Sequence, residues 1–224
     1  MIGMLAHRSL IAQLVRREIQ ARYVGSVLGV AWSLLTPLLM LAIYTFVFGV
    51  VLQSKWTPPP SAVAPLIEAK DTADFAIILF VGLIVFSIFS DVISRAPTLI
   101  VANASYVKRA AFPLETLVPV ALGSALVNAG LAFAVLLTFM LVRHGSIPLT
   151  ALWLPVVLAP LLILTLGVAW FCASLGVYLR DLGHVTPLVM NAMLFLSPVF
   201  FPASALPEWI RGWLFLNPVA LPIE

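Results

Sequence analysis

Long apolar stretches that are nearly free of charged residues constrain this chain more than any other feature of its sequence. Four of them have the roughly 20 residues that a helix needs to cross a hydrocarbon core, and a fifth is shorter and interrupted by proline. In chain order they cover residues 27–52, 75–94, 116–142, 151–179 and 185–201. Charged residues make up 9% of the chain, against about 25% in soluble domains. The sequence therefore excludes a soluble fold and predicts an all-α membrane protein with five spanning helices in one domain, residues 1–224.

An amphipathic helix is predicted before the first span, over residues 4–23. Its apolar side chains fall on one half of the helical wheel, while Arg16 and Arg17 fall on the other. This pattern is typical of a helix that lies in the membrane interface. The alternative is a helix of the soluble type packed on another protein. Glu18 and Arg22 interrupt the apolar half, and their i, i+4 spacing predicts that they pair with each other.

The stretch after the fifth span is too short and too interrupted by proline to cross a membrane. Within residues 203–220, Trp209 and Trp213 share one helical face, as aromatic side chains do at a membrane interface. We therefore expect a re-entrant helical segment on the outer, periplasmic side.

The distribution of lysine and arginine predicts a cytoplasmic N-terminus, because basic residues gather on the cytoplasmic side. In that orientation eight basic residues face the cytoplasm and four face outside. The eight are Arg8, Arg16, Arg17, Arg22, Arg95, Lys108, Arg109 and Arg180, and the four are Lys55, Lys70, Arg143 and Arg211. Because these residues are spread between spans rather than gathered in one patch, no nucleic-acid partner is expected.

The sequence offers no set of residues for catalysis, metal binding or a cofactor. His7, His144 and His184 lack the spacing of metal ligands, and no nucleotide-binding glycine-rich loop is present. The middles of the spans carry no ionisable residue, which argues against ion-coupled transport. Asp91 and Arg95 lie at the end of the second span with the i, i+4 spacing of an ion pair. If the protein moves a solute uphill, the energy comes from another subunit.

Residues 16–52 contain a pattern that resembles the permease subunits of ABC transporters exporting bacterial polysaccharides: O-antigen, capsule and teichoic acid. The family begins with a basic-acidic pair followed by R-Y-x-x-S-x-L-G-x-x-W-x-x-x-x-P. Glu18 stands where the family more often has aspartate. The matching residues are Arg17, Glu18, Arg22, Tyr23, Ser26, Leu28, Gly29, Trp32 and Pro37.

The resemblance extends over essentially the whole chain. Residues 95–115 form the longest predicted cytoplasmic loop, in which we expect a short helix over residues 98–109, and residues 103–119 resemble the family's first cytoplasmic loop. Further matches are Arg180-Asp181, Ser197-Pro198 and Asn217-Pro218. The family has a sixth spanning helix after its Asn-Pro, whereas this sequence stops at Glu224, so we expect a truncated chain.

The resemblance implies an inner-membrane exporter built from two permease copies and two ATPase subunits, without a cofactor in the permease. The ATPase would contact the N-terminal surface helix and the first cytoplasmic loop. Within that loop the residues expected to couple to the ATPase are Ser105, Tyr106, Lys108 and Arg109. A role for the two basic residues in anchoring to lipid headgroups is the alternative.

The substrate implied by the resemblance is a glycan linked to undecaprenyl diphosphate. Aromatic faces suit sugar rings, so Trp32, Tyr44 and Phe48 are candidates for the substrate path, although packing against lipid or the second permease is the alternative. Arg16, Arg17 and Arg22 are candidates for attracting the diphosphate.

Three other functions are alternatives to this one, and the last of them, a non-transporting scaffold, would show no ATP-dependent activity with any partner. A permease of the same fold exporting a drug, haem or lipid would share its sequence features, and only its partners and substrate would differ. A membrane-embedded lipid enzyme would need catalytic groups within or near the spans, and no such set can be assembled.

Overall fold

The computed structural model describes residues 7–47, 72–104, 112–145 and 153–197, and within these residues the chain is helical and contains no strand. Short 3-10 turns, Gly29–Ala31 and Leu114–Thr116, precede the second and fourth helices. The helices are α1 (Arg8–Tyr23), α2 (Trp32–Tyr44), α3 (Thr72–Ala102), α4 (Leu117–His144), α5 (Leu154–Tyr178) and α6 (Leu182–Leu196). The all-α prediction is confirmed for this part of the chain.

Helix α3 is the centre of the bundle. It packs along α4, α5 and α6 and also touches α2. In its most apolar window 67% of the residues are buried within the protein, against 22% and 28% for the corresponding windows of α4 and α5. Ala76, Val92 and Ala96 have no exposed surface at all. The protein itself therefore covers α3, while α4 and α5 present apolar surface outward, as helices facing lipid do.

Three segments in the described part of the chain are long and apolar enough to cross a membrane: Ala76–Ala102, Leu114–Arg143 and Leu154–Tyr178. Shorter apolar helices occupy Trp32–Val47, within the predicted first span, and Leu182–Leu196, which begins three residues before the predicted fifth span and overlaps it. The predicted re-entrant segment, residues 203–220, lies outside the described residues.

Helix α3 continues beyond the predicted end of the second span at residue 94 and reaches Ala102. Charged side chains do not end it, because Arg95 forms an ion pair with Asp91 one turn earlier. Pro97 does not end it either, since neighbouring helices can accommodate the proline and the backbone groups it frees. The first part of the predicted loop helix, residues 98–102, therefore belongs to α3, while residues 105–111 lie outside the described residues.

Glycines allow α5 and α6 to approach this last part of α3. A β-carbon at position 176 would lie 2.2 Å from the carbonyl oxygen of Pro97, and one at position 183 would lie 2.9 Å from Cγ2 of Thr98. The connection between α5 and α6 is thereby held against the end of α3. We call the part of the bundle around Pro97, Gly176 and Gly183 the Pro97 end.

Gly176→Ala is expected to destabilise the folded protein by about 1–3 kcal/mol or more, because the new methyl group meets backbone atoms that cannot rotate away. The measurement is the thermal unfolding temperature in detergent. Unfolding is monitored by the reaction of a dye with the thiol of Cys172, which is partly buried in the folded protein. Gly167→Ala in the same helix is the control, since nothing lies within 4 Å of its β-carbon position. Equal unfolding temperatures for the two variants would contradict the packing described here.

Candidate coupling site

Helix α1 lies against the bundle with one face and exposes the other. The partly buried side chains on the inward face include Leu10, Leu14 and Val15, while Arg16 and Arg17 are exposed. Packing is mainly against α4. Because a β-carbon at position 123 of α4 would lie 2.7 Å from Cγ2 of Val15, the glycine there lets α1 come this close.

Arg95 of α3 joins three helices through one guanidinium group. Its Nη1 donates to Oε1 of Glu18 on α1, and its Nη2 donates to Oδ2 of Asp91 at 3.1 Å within α3. The same Nη2 lies 3.3 Å from the carbonyl oxygen of Ala121 on α4, and Nε donates to the backbone oxygen of Asp91 at 3.2 Å. Four contacts from five available N–H donors fix the orientation of this side chain closely.

Arg22 completes the set from α1. Its Nη2 lies 3.5 Å from Oδ2 of Asp91 on α3 and donates to Oγ of Ser124 on α4 at 3.4 Å. Ser124 is completely buried, so the contact also provides a partner for a hydroxyl group inside the bundle. Both arginines therefore connect α1, α3 and α4.

Two acidic and two basic side chains make this cluster neutral overall, and we call Glu18, Arg22, Asp91 and Arg95 the charge cluster. Their side chains are 27–34% exposed. Partial burial strengthens ion pairs relative to those in open water, while removal of one partner leaves a poorly solvated charge behind. On α3, Arg95 and Asp91 lie about 10 and 16 Å from the helix end at Ala102, because each helical residue rises about 1.5 Å.

The structure confirms the ion pair predicted within α3, between Asp91 and Arg95. On α1, by contrast, Glu18 pairs with Arg95 and Arg22 pairs with Asp91, across helices. The signal in the sequence is that Glu18 and Arg22 have the same i, i+4 spacing as Asp91 and Arg95. Two such pairs on neighbouring helices can bind each other crosswise. Without knowing that α1 lies against α3 and α4, the local pairing was the simpler interpretation.

Among the described residues, the other side chains singled out in the sequence differ in their surroundings. Trp32 is exposed at the start of α2, whereas Tyr44 packs against the buried core. Phe48 and the four loop residues Ser105, Tyr106, Lys108 and Arg109 lie outside the described residues.

A shallow cavity of about 420 Å³ opens at the Pro97 end, between α3, α4 and α5. Trp170 closes one side of it and donates from Nε1 to the backbone oxygen of Glu115 at 3.2 Å. No group of three potential metal-ligating side chains occurs among the described residues. The lining of the cavity is mainly apolar, and Glu115, Ser174 and Trp170 are its polar and aromatic members.

A double-mutant cycle will measure the pair between α1 and α3. Glu18→Gln and Arg95→Gln each remove one partner, and their destabilising effects are expected to be non-additive by about 1–2 kcal/mol because the side chains interact directly. Chemical unfolding in detergent gives the free energies of unfolding of the unaltered protein, the two single variants and the double variant. Thr138→Val on α4 is the control partner, since the Thr138 hydroxyl bonds within its own helix. Additive effects of the Glu18 and Arg95 substitutions would show that the pair contributes nothing.

Comparison with known proteins shows similarity over almost the full chain. The chain is 29% identical over 216 residues to the O-antigen export system permease protein RfbA of Myxococcus xanthus, covering 95% of this chain and 76% of that protein. It is 24% identical to the protein of the same name from Klebsiella pneumoniae, with 94% and 76% coverage. Polysialic acid transport protein KpsM of Escherichia coli is 25% identical over 223 residues, 99% of this chain and 81% of that protein. A model of the ABC-2 type transporter family matches residues 9–224, and the chain therefore belongs to that family.

Proposed function

We propose that this chain is the membrane-spanning permease subunit of an ABC exporter. It moves a lipid-linked polysaccharide from the cytoplasm across the inner membrane, and a separate ATPase subunit supplies the energy. The observation that carries the proposal is that relatives matched over nearly the whole chain are named for export of O-antigen and for transport of polysialic acid. Both are polysaccharides.

The distribution of charge supports a transport subunit that takes its energy from a partner. In the described spanning segments charged side chains are few, and the two inside Ala76–Ala102 of α3, Asp91 and Arg95, pair with each other and with Arg22 and Glu18 of α1 in the charge cluster. Ion-coupled transporters place ionisable groups along the transport path. A conduit for a long polar polymer instead needs a mechanical opening that another subunit drives.

The proposed topology has five spans, a re-entrant segment after residue 202, and a cytoplasmic N-terminus. The packing supports the view that α1, the end of α3 and the connection between α5 and α6 lie on the same side of the membrane. Helix α1 is paired to α3 through Glu18 and Arg95, and the connection around Arg180 follows Gly176, which contacts Pro97. Under the positive-inside rule this is the cytoplasmic side.

The proposed contact with the ATPase consists of α1 and the loop after α3. Ser105, Tyr106, Lys108 and Arg109 belong to that loop, which follows directly from the central helix. A short helix seated on a partner subunit transmits that partner's motion. The proposed assembly contains a second copy of the permease.

The proposed substrate is a glycan on undecaprenyl diphosphate. Arg16 and Arg17, which are exposed on α1, and Arg22, which forms an ion pair with Asp91, are the residues proposed to attract the diphosphate. Trp32, exposed at the start of α2, is proposed to meet sugar rings. Tyr44 and Phe48 are the other proposed path residues, with Tyr44 packed against the core.

Reconstitution with the partner ATPase tests the function. The permease is expected to co-purify with that subunit, and undecaprenyl-diphosphate-linked glycan is expected to stimulate ATP hydrolysis in proteoliposomes severalfold. Undecaprenyl phosphate without sugars is the control and should stimulate little, because it lacks the polymer that the path accepts. Stimulation by a small hydrophobic drug or by haem, with none by the glycan, would instead favour the other exporter function.

A further inference from the structure

We propose that Asp91 and Arg95 are positioning residues for energy coupling. Together with Glu18 and Arg22 they clamp α1 to α3 and α4, so that α1 moves with these helices as one rigid unit when the ATPase pushes on it. The coupling part of this inference rests on the proposed function. The clamp itself is a property of the permease alone.

The geometry of the contacts fixes a position rather than providing general attraction. Arg95 reaches Glu18 on α1, Asp91 on its own helix and a backbone oxygen on α4 from a single planar group. A guanidinium group holds its donors in a rigid fork, which a lysine ammonium group does not. Sliding or rotation of α1 would therefore break several contacts together.

Apolar packing alone would leave α1 free to move into the lipid. The inward face of α1 is apolar around Leu14 and Val15, and lipid chains can replace such contacts at little cost, because they are as apolar as leucine. A lipid chain offers no carboxylate to Arg95 and no cation to Asp91. The charge cluster is thus the part of the interface that distinguishes the bundle from the surrounding membrane.

The clamp acts on the helix best placed to distribute a force. Helix α3 packs along α4, α5 and α6, and it is covered mainly by the protein. A displacement of α1 that reaches α3 through Arg95 therefore passes to most of the bundle. The loop proposed to contact the ATPase also follows α3, so both contacts would act on the same helix.

A disulfide can measure the clamp directly. A β-carbon at position 123 would lie 3.8 Å from Cβ of Val15, which is the usual spacing in disulfides. The permease carrying Val15→Cys, Gly123→Cys and Cys172→Ala is therefore expected to cross-link rapidly under mild oxidation. The quantity measured is the rate of cross-linking in proteoliposomes containing the permease without any ATPase.

Removing charges from the cluster is expected to slow that cross-linking. Arg95→Gln should lower the rate at least about fivefold, since it removes the contacts of Arg95 with Glu18 on α1 and with the backbone of α4. Glu18→Gln provides a second variant that leaves the pair of Arg95 with Asp91 in place and should show a smaller decrease. Thr138→Val on α4 is the control and should leave the rate unchanged. Equal rates for all variants would overturn the clamp.

Transport by the complete complex tests the coupling role. In proteoliposomes containing the ATPase, Arg95→Gln is expected to lower glycan exported per ATP hydrolysed severalfold while hydrolysis continues. When Arg95→Gln is combined with the cysteine pair at positions 15 and 123, oxidation should restore the ratio, because the disulfide replaces the clamp. Reduction should lower the ratio again. Loss of a stable fold would not produce continued hydrolysis with reversible rescue.

Two results would overturn the coupling role. One is a block of export by the disulfide when all four charges are present, since α1 would then have to leave α4 during transport. The other is an unchanged export ratio in Arg95→Gln. If the complex with unaltered charges exports no glycan, the proposed function fails, and the cross-linking rates still decide whether the clamp exists.

Discussion

Paired charges between a surface helix and the bundle determine how the described part of this protein is arranged. Arg95 and Arg22 hold Glu18 and Asp91 at the junction of α1, α3 and α4. Apolar contacts in a membrane protein give little preference for one helix position over another, because lipid competes for them. Charged side chains in partial burial have few acceptable partners. Their pairing therefore gives this junction its register.

Close backbone contacts complete what the charges begin. Gly123 admits Val15 of α1, and Gly176 brings α5 against Pro97 of α3. Small residues allow such approaches where van der Waals packing, rather than water exclusion, holds helices together. Toward the same end of α3, ion pairs connect it to α1 and close backbone packing connects it to α5. Motion applied at this end has a short route into the bundle.

The helical class and the main spans were predictable because apolar length directly reflects membrane thickness. The end of α3 was not, since Asp91, Arg95 and Pro97 are all ordinary signals for the end of a span. Their partners lie on other helices, with 77 positions separating Glu18 from Arg95. Local spacing therefore predicted the pair within α3 but assigned Glu18 and Arg22 to each other. The candidate site depends on tertiary contacts that sequence periodicity does not encode.

Whether α1 and the bundle move as one unit during the ATP cycle is the most direct question for this account. Spin labels at the exposed positions Gln13 on α1 and Val142 on α4 would report the distance between the two helices in the reconstituted complex. A rigid junction predicts a distance between the two labels of one permease copy that is the same without nucleotide and with ATP trapped on the ATPase subunit. A different distance in the ATP-bound state, or a second population that appears with ATP, would contradict it.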